Sequence, residues 1–185
     1  MAFDYKKGGL ESVADGVHVY IGPGGSSNNG IILTDEGTVS IDSFITNYDG
    51  LMQSIEQVTN RAVGTAINTH DDADHYTMNH VFRRQGATIF ASDVCRERIK
   101  TKMGMGVWID NLKSRNPAVA HELDKPEEMI PHVGIEDAVT LMLAGEQIDL
   151  IHVGHGHCPG DLIVNLPERG GGVLFAGDRP GWNAL

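Results

Sequence analysis

Cysteine is scarce in this 185-residue chain: Cys95 and Cys158 are the two it has, far apart and outside any Cys-x-x-Cys pattern. That argues against a disulfide framework and fits a reducing compartment. Basic residues are few as well. Fourteen Lys+Arg face 25 Asp+Glu, a formal net charge of −11, and no basic block interrupts the acidity. A nucleic-acid backbone or an anionic membrane is therefore not an expected partner, and most of the acidity reads as a solubilising surface. No apolar run approaches the roughly 20 residues that span a bilayer. The N-terminal Met1-Ala2-Phe3-Asp4-Tyr5-Lys6-Lys7 has no apolar core of the kind a signal peptide carries. The expectation is one soluble, cytoplasmic domain over residues 1–185 with a small-molecule substrate and an open oligomeric state. With 41% hydrophobic residues it has the material for a core.

The first part reads as a β meander. The segments 10–13 and 17–21 flank Ala14-Asp15-Gly16, a hairpin signal, and 31–34 and 38–41 pair around Asp35-Glu36-Gly37. The glycine-rich stretch 22–30 reads as a plain loop, since no Lys-Ser/Thr pair completes a phosphate-binding pattern. Leu51, Ile55 and Val58 recur at helical spacing, which predicts a helix over about 48–59. A buried strand over 62–68 follows, then a helix over about 77–84 and a strand over 87–91. Ser92-Asp93 is placed to cap a helix starting near Val94. Residues 103–135, with Pro117 and Pro126, predict short helices and loops that either cover a site or merely connect. Strands return at 139–143, 148–153, 162–166 and 173–176. Strands mixed with amphipathic helices indicate layered α/β packing.

Chemistry concentrates at three strand ends. His70-Asp71-Asp72-Ala73-Asp74-His75 crowds five metal-ligand side chains into six residues. Imidazoles and carboxylates gathered there repel one another and lose hydration, and a dication offsets both costs. His70, Asp72 and Asp74 alternate, so an extended segment would project them to one side, with His75 offset toward a second metal position. The plain alternative is an acidic helix start in which Asp71 or Asp72 caps the helix. The second cluster runs from His152 to Asp161. Here His152 reads as a surface or hydrogen-bonded core residue, and His155 as a supporting group or alternative ligand. In the third, the apolar strand Val173-Leu174-Phe175-Ala176 delivers Asp178 just past Gly177.

Together, Asn68-Thr69-His70-Asp71-Asp72-Ala73-Asp74-His75, His157-Cys158-Pro159-Gly160-Asp161 and Phe175-Ala176-Gly177-Asp178 resemble the ordered motifs of the metallo-β-lactamase-fold superfamily. Ser40-Ile41-Asp42-Ser43 is similar to another of its strand ends. The resemblance implies an αββα sandwich with a metal site at one edge between the sheets. It implies His70, Asp72 and His157 as ligands of a first metal, and Asp74 and His75 as ligands of a second. Asp178 would bridge, Asp42 would support the site without binding metal, and Asp74 would orient the attacking water as the catalytic residue. Two departures stand out. Asp72 occupies a place where most members carry His, which makes Fe or Mn more plausible beside Zn, in one or two ions. The family's last His ligand, well downstream of the bridging Asp, has no counterpart before Leu185, so a chain truncated at its C-terminal side is expected. The implied activity is metal-dependent hydrolysis of an ester, thioester, lactone or amide. An iron-dependent redox enzyme of the persulfide dioxygenase or diiron kind, and a metal-binding module without activity, remain as alternatives.

Overall fold

Alternation along the first strands builds a meander. In the computed structural model, which describes residues 3–178 and all their side chains except those of residues 107 and 108, β1 (Gly9–Ala14), β2 (Val17–Ile21), β3 (Asn28–Leu33) and β4 (Thr38–Ile41) pair antiparallel in chain order. The chain then switches to strand–helix crossovers. β5 (Val63–Ile67), β6 (Thr88–Ser92) and β7 (Val133–Ile135) add in parallel, which completes a seven-stranded sheet ordered β1 to β7. Successive side chains on a strand point to opposite faces, so Ile31 enters one core and its neighbour Ile32 the other.

A second, antiparallel sheet is formed by β8 (Ala138–Leu143), β9 (Glu146–Gly154), β10 (Asp161–Leu166) and β11 (Val173–Phe175), in the order β11-β10-β9-β8. Ile148 and Leu150 on β9, with Leu162, Val164 and Leu166 on β10, occupy every second position and pack on Val17, Ile32, Val39, Ile41 and Ile67 of the first sheet. The other core lies between the first sheet and the helices α1 (Tyr48–Val58), α2 (Ala73–Tyr76), α3 (Asn79–Arg84), α4 (Asp93–Gly104) and α5 (Gly106–Arg115). Leu51, Tyr76, Phe82, Ile99 and Leu112 are among the side chains these helices bury there. Helix–sheet–sheet layering of this kind is the expected α/β architecture and gives three layers of the αββα sandwich; among the described residues no helix lies in the core formed by the second sheet. Met142, Ile151, Val153 and Leu174 are exposed. Among the described residues, no helix is long and apolar enough to cross a membrane.

Local expectations need adjustment in three places. The helix predicted over 77–84 begins at Asn79, and a separate turn of helix, α2, precedes it within the ligand-rich segment; between the two, the Thr77 hydroxyl donates back to Ala73 O (2.7 Å) and accepts from Ile45 N (3.0 Å). The loop predicted over 22–30 is shorter, since Asn28 and Asn29 already pair with Ile21 and Tyr20. Residues 103–135 form the short helices expected, with an edge strand that was not expected. They supply the end of α4, all of α5, two 3-10 turns begun by Pro117 and Pro126, and the edge strand β7. Leu123 and Met129 of this stretch are fully buried in the helical core.

Candidate metal centre

β5 ends at Ile67, and Asn68 shapes the turn beyond it. Its Nδ2 donates to His75 O (2.8 Å), and its Oδ1 accepts from Asn79 Nδ2 (2.7 Å). His70 and Asp72 thus lie in an irregular turn, so the alternation expected of an extended segment is not what gathers them. Asp74 sits in the first turn of α2 beside His75. Asp72 occupies the N-cap position of α2, yet its side chain makes no capping hydrogen bond, which leaves the capping reading without support. Asp71, fully buried, is held by Arg98 Nε (2.8 Å) and Lys102 Nζ (2.7 Å) from α4.

Just past β4, Asp42 adopts φ 58°. Left-handed backbone at a non-glycine residue costs about 1–3 kcal/mol and persists where its surroundings demand it. Here it aims the carboxylate at three donors: Thr69 N (2.7 Å), Thr69 Oγ1 (2.7 Å) and His75 Nδ1 (2.9 Å). With its own proton given to Asp42, the Thr69 hydroxyl accepts from His70 Nδ1 at 3.1 Å. Both rings are thereby assigned Nδ1–H, and each turns Nε2 inward. Both Nε2 atoms are buried and lack a hydrogen-bond partner. Ring nitrogens left unpaired in this way are what a cation would satisfy.

The donors form two groups that share His70. In one, His70, Asp72, His157 and Cys158 each place a donor atom within 4.8 Å of the others, and in the other His70, His75 and Asp178 do the same. His157 Nε2 lies 3.0 Å from Asp72 Oδ2, and His70 Nε2 lies 3.7 Å from it. His75 Nε2 lies 3.8 Å from Asp178 Oδ2, and Asp74 approaches the second group through His75 at 3.4 Å. The six expected ligands, His70, Asp72, Asp74, His75, His157 and Asp178, are therefore neighbours. Asp178 falls with His75 and with His70, the residue common to both groups.

Charge follows from this crowding. Burial opposes a charge on His75, but the carboxylates of Asp42, Asp178 and Asp74 outweigh it and push its pKa well above the usual imidazole value. His70 moves the other way, driven down by burial and by the neighbouring His75. The neighbouring His75 imidazole holds the Asp178 carboxyl below its usual range. Three carboxylates that draw a proton to one ring would also draw a dication.

Two loops deliver the remaining ligands. Asp161, at the start of β10, folds its carboxylate back onto the amides of Gly156, His157 and Cys158 and so fixes the loop that presents His157. Leu162 N donates to Thr69 O (2.8 Å), which joins this strand to the first cluster. Beyond β11, Gly177 has φ 61°, and a Cβ there would stand 2.8 Å from Thr69 Oγ1, so glycine alone allows Asp178 this approach. His152 binds Glu136 O through Nδ1 (2.8 Å), in keeping with its reading as a hydrogen-bonded residue, and His155 is exposed.

The metallo-beta-lactamase superfamily profile matches residues 22–178, most of the chain. The chain belongs to this superfamily. No curated protein matches the sequence. Among solved structures, the metallo-beta-lactamase IND-7 is similar at a TM-score of 0.64 and 20% identity, over 88% of this chain and 68% of that one. The metallo-beta-lactamase from Pontibacter korlensis gives 0.63 and 20%, over 87% and 67%. A HARLDQ-motif mutant enzyme of the same class from Cronobacter sakazakii gives 0.65 and 16%, over 99% and 69%. At these identities the likeness concerns the fold alone.

A metallo-beta-lactamase fold implies divalent metal binding, and the partnerless imidazole nitrogens among carboxylates fit such an ion. A cleft of about 510 Å³ opens beside His75 and Asp178, walled by apolar residues that include Val13, Val19, Ile21, Val173 and Phe175. A larger polar depression of about 830 Å³ around Arg61 and Arg169 contains none of the cluster. Sequence reasoning missed Cys158 as a neighbour of the ligands, and Arg98 and Lys102 as partners of Asp71. The four-residue spacing of that Arg and Lys on one helix face was the available signal.

Proposed function

We propose that this protein is a metal-dependent hydrolase that directs water at an acyl carbonyl, in an ester, thioester, lactone or amide. The observation that carries this is the pair of buried, partnerless Nε2 atoms of His70 and His75, set among Asp72, His157 and Asp178. His70, Asp72 and His157 would hold a first ion, and His75, Asp74 and Asp178 a second, with zinc the expected metal. Such ions acidify water and polarise the attacked oxygen.

The chain's own groups do the rest. Asp42 and Thr69 keep both rings turned inward. Asp74, partly exposed beside His75, orients the attacking water and can take up its proton. The apolar cleft receives the non-reacting part of the acyl substrate and keeps bulk water from it. A hard oxygen donor at Asp72 favours a second reading, iron-dependent redox chemistry. Elemental analysis of the purified protein separates the two, since iron in place of zinc would support redox.

The direct test compares His157→Ala with His152→Ala. The first should lose bound metal and at least about 100-fold in turnover of chromogenic esters, a loss on the scale of a removed electrostatic catalytic group. The second should lose neither. Equal metal content in the two variants would overturn the assignment.

A further inference from the structure

One donor of the cluster has no place in the ligand set taken over from the superfamily: the thiol of Cys158. It is buried, follows His157 directly, and places Sγ within 4.8 Å of the donor atoms of His70, Asp72 and His157. The loop that carries it is pinned from two sides. Cys158 N donates to Asp161 Oδ1 (2.9 Å), and Gly160 O accepts from Ser92 Oγ (2.7 Å) at the cap of α4. Gly160 packs so closely on α4 that a Cβ would stand 2.5 Å from Cys95 N. The sulfur is therefore held on the side of the cluster. A second and independent feature marks the same space as a ligand position: the ring nitrogen His70 Nε2, 1% exposed and without a partner, is one of the four converging donors.

We infer that Cys158 is a fourth protein ligand of the ion held by His70, Asp72 and His157, an inference that rests on the metal-centre reading above. On binding, the S–H bond gives way to an S–metal bond, and one proton per ion leaves to solvent. Two imidazoles, a carboxylate and a thiolate complete a tetrahedral set, the pattern of a closed zinc site. The thiolate also softens a set that Asp72 hardens, and so selects zinc over iron or manganese. The second group, His75, Asp74 and Asp178, then keeps the position open to substrate.

Cobalt substitution tests this without relying on activity. Metal-stripped protein of the full 185 residues is loaded with Co(II), and its absorption spectrum is recorded. Wild type and Cys95→Ala should both show a thiolate-to-cobalt charge-transfer band in the near ultraviolet. Cys158→Ser should take up cobalt with complete loss of that band. Bound cobalt with identical near-ultraviolet spectra in wild type and Cys158→Ser would overturn the ligand role of the thiol alone. Failure of wild type to bind cobalt would overturn it together with the metal centre.

Should Cys158→Ser not fold, iodoacetamide labelling of wild type, read by mass spectrometry, decides the matter. Zinc should protect Cys158 far more than Cys95. Equal labelling of Cys158 with and without zinc, or equal protection of both cysteines, would refute the inference.

Discussion

Asp42 governs two ligands at once. Its carboxylate binds His75 directly and His70 through the Thr69 hydroxyl, from a backbone conformation that non-glycine residues rarely adopt. Outer partners of this kind fix ring orientation and raise ligand basicity, and their removal usually weakens metal affinity about 10–100-fold. Asp42→Asn keeps the size and part of the hydrogen bonding but removes the charge. A loss of affinity in that range is expected from competition titration against a chromogenic chelator. An unchanged affinity would show that the rings are held by packing alone. At this scale much was legible in the sequence. The crowding of His70, Asp72, Asp74 and His75 is local, so composition exposes it. The thiol of Cys158 was not legible, because its nearness to Asp72 depends on how two loops meet.

α4 anchors the ligand turn from behind. Arg98 and Lys102 stand one helical turn apart and clasp Asp71, which is fully buried between two metal-ligand candidates, His70 and Asp72. Burial acts to raise the pKa of Asp71, but the bonds to Arg98 and Lys102 more than reverse this, and the folded value lies below the ordinary carboxylate value. A depressed folded pKa contributes stability that is complete above the unfolded value and is lost as pH falls through the folded one. Replacing both cations, Arg98→Ala with Lys102→Ala, leaves a buried carboxylate unpaired at neutral pH, at a cost of about 3–5 kcal/mol. Urea unfolding should show that deficit near pH 7 and a shrinking one as pH falls below about 4, the ordinary carboxylate value, and on through the lower folded value. A deficit independent of pH would contradict the clasp.

Element by element, β1, β2 and β4 were readable from alternation and turn residues. β7 was not: three residues at a parallel edge, after two proline-started turns, carry no period of their own. α2 was not readable: its four residues lie in the ligand-rich segment, and the Thr77 hydroxyl that separates it from α3 is engaged by Ile45 N, a tertiary contact no local pattern records.

At the scale of the molecule, two sheets packed face to face bring the ends of β4, β5 and β11 and the loop before β10 to one edge. Residues 42, 70–75, 157 and 178 meet there, and the apolar cleft opens beside them. Nothing in the spacing of residues states that His157 reaches Asp72. Only the resemblance to a family with ordered motifs indicated it. Diffraction from zinc-loaded crystals, measured on both sides of the zinc absorption edge, tests that convergence most directly. The strongest anomalous peak should lie about 2.0–2.2 Å from His70 Nε2, His157 Nε2 and a carboxylate oxygen of Asp72. A protein that binds no zinc there, or holds it elsewhere with His70 and His157 unligated, would contradict the account.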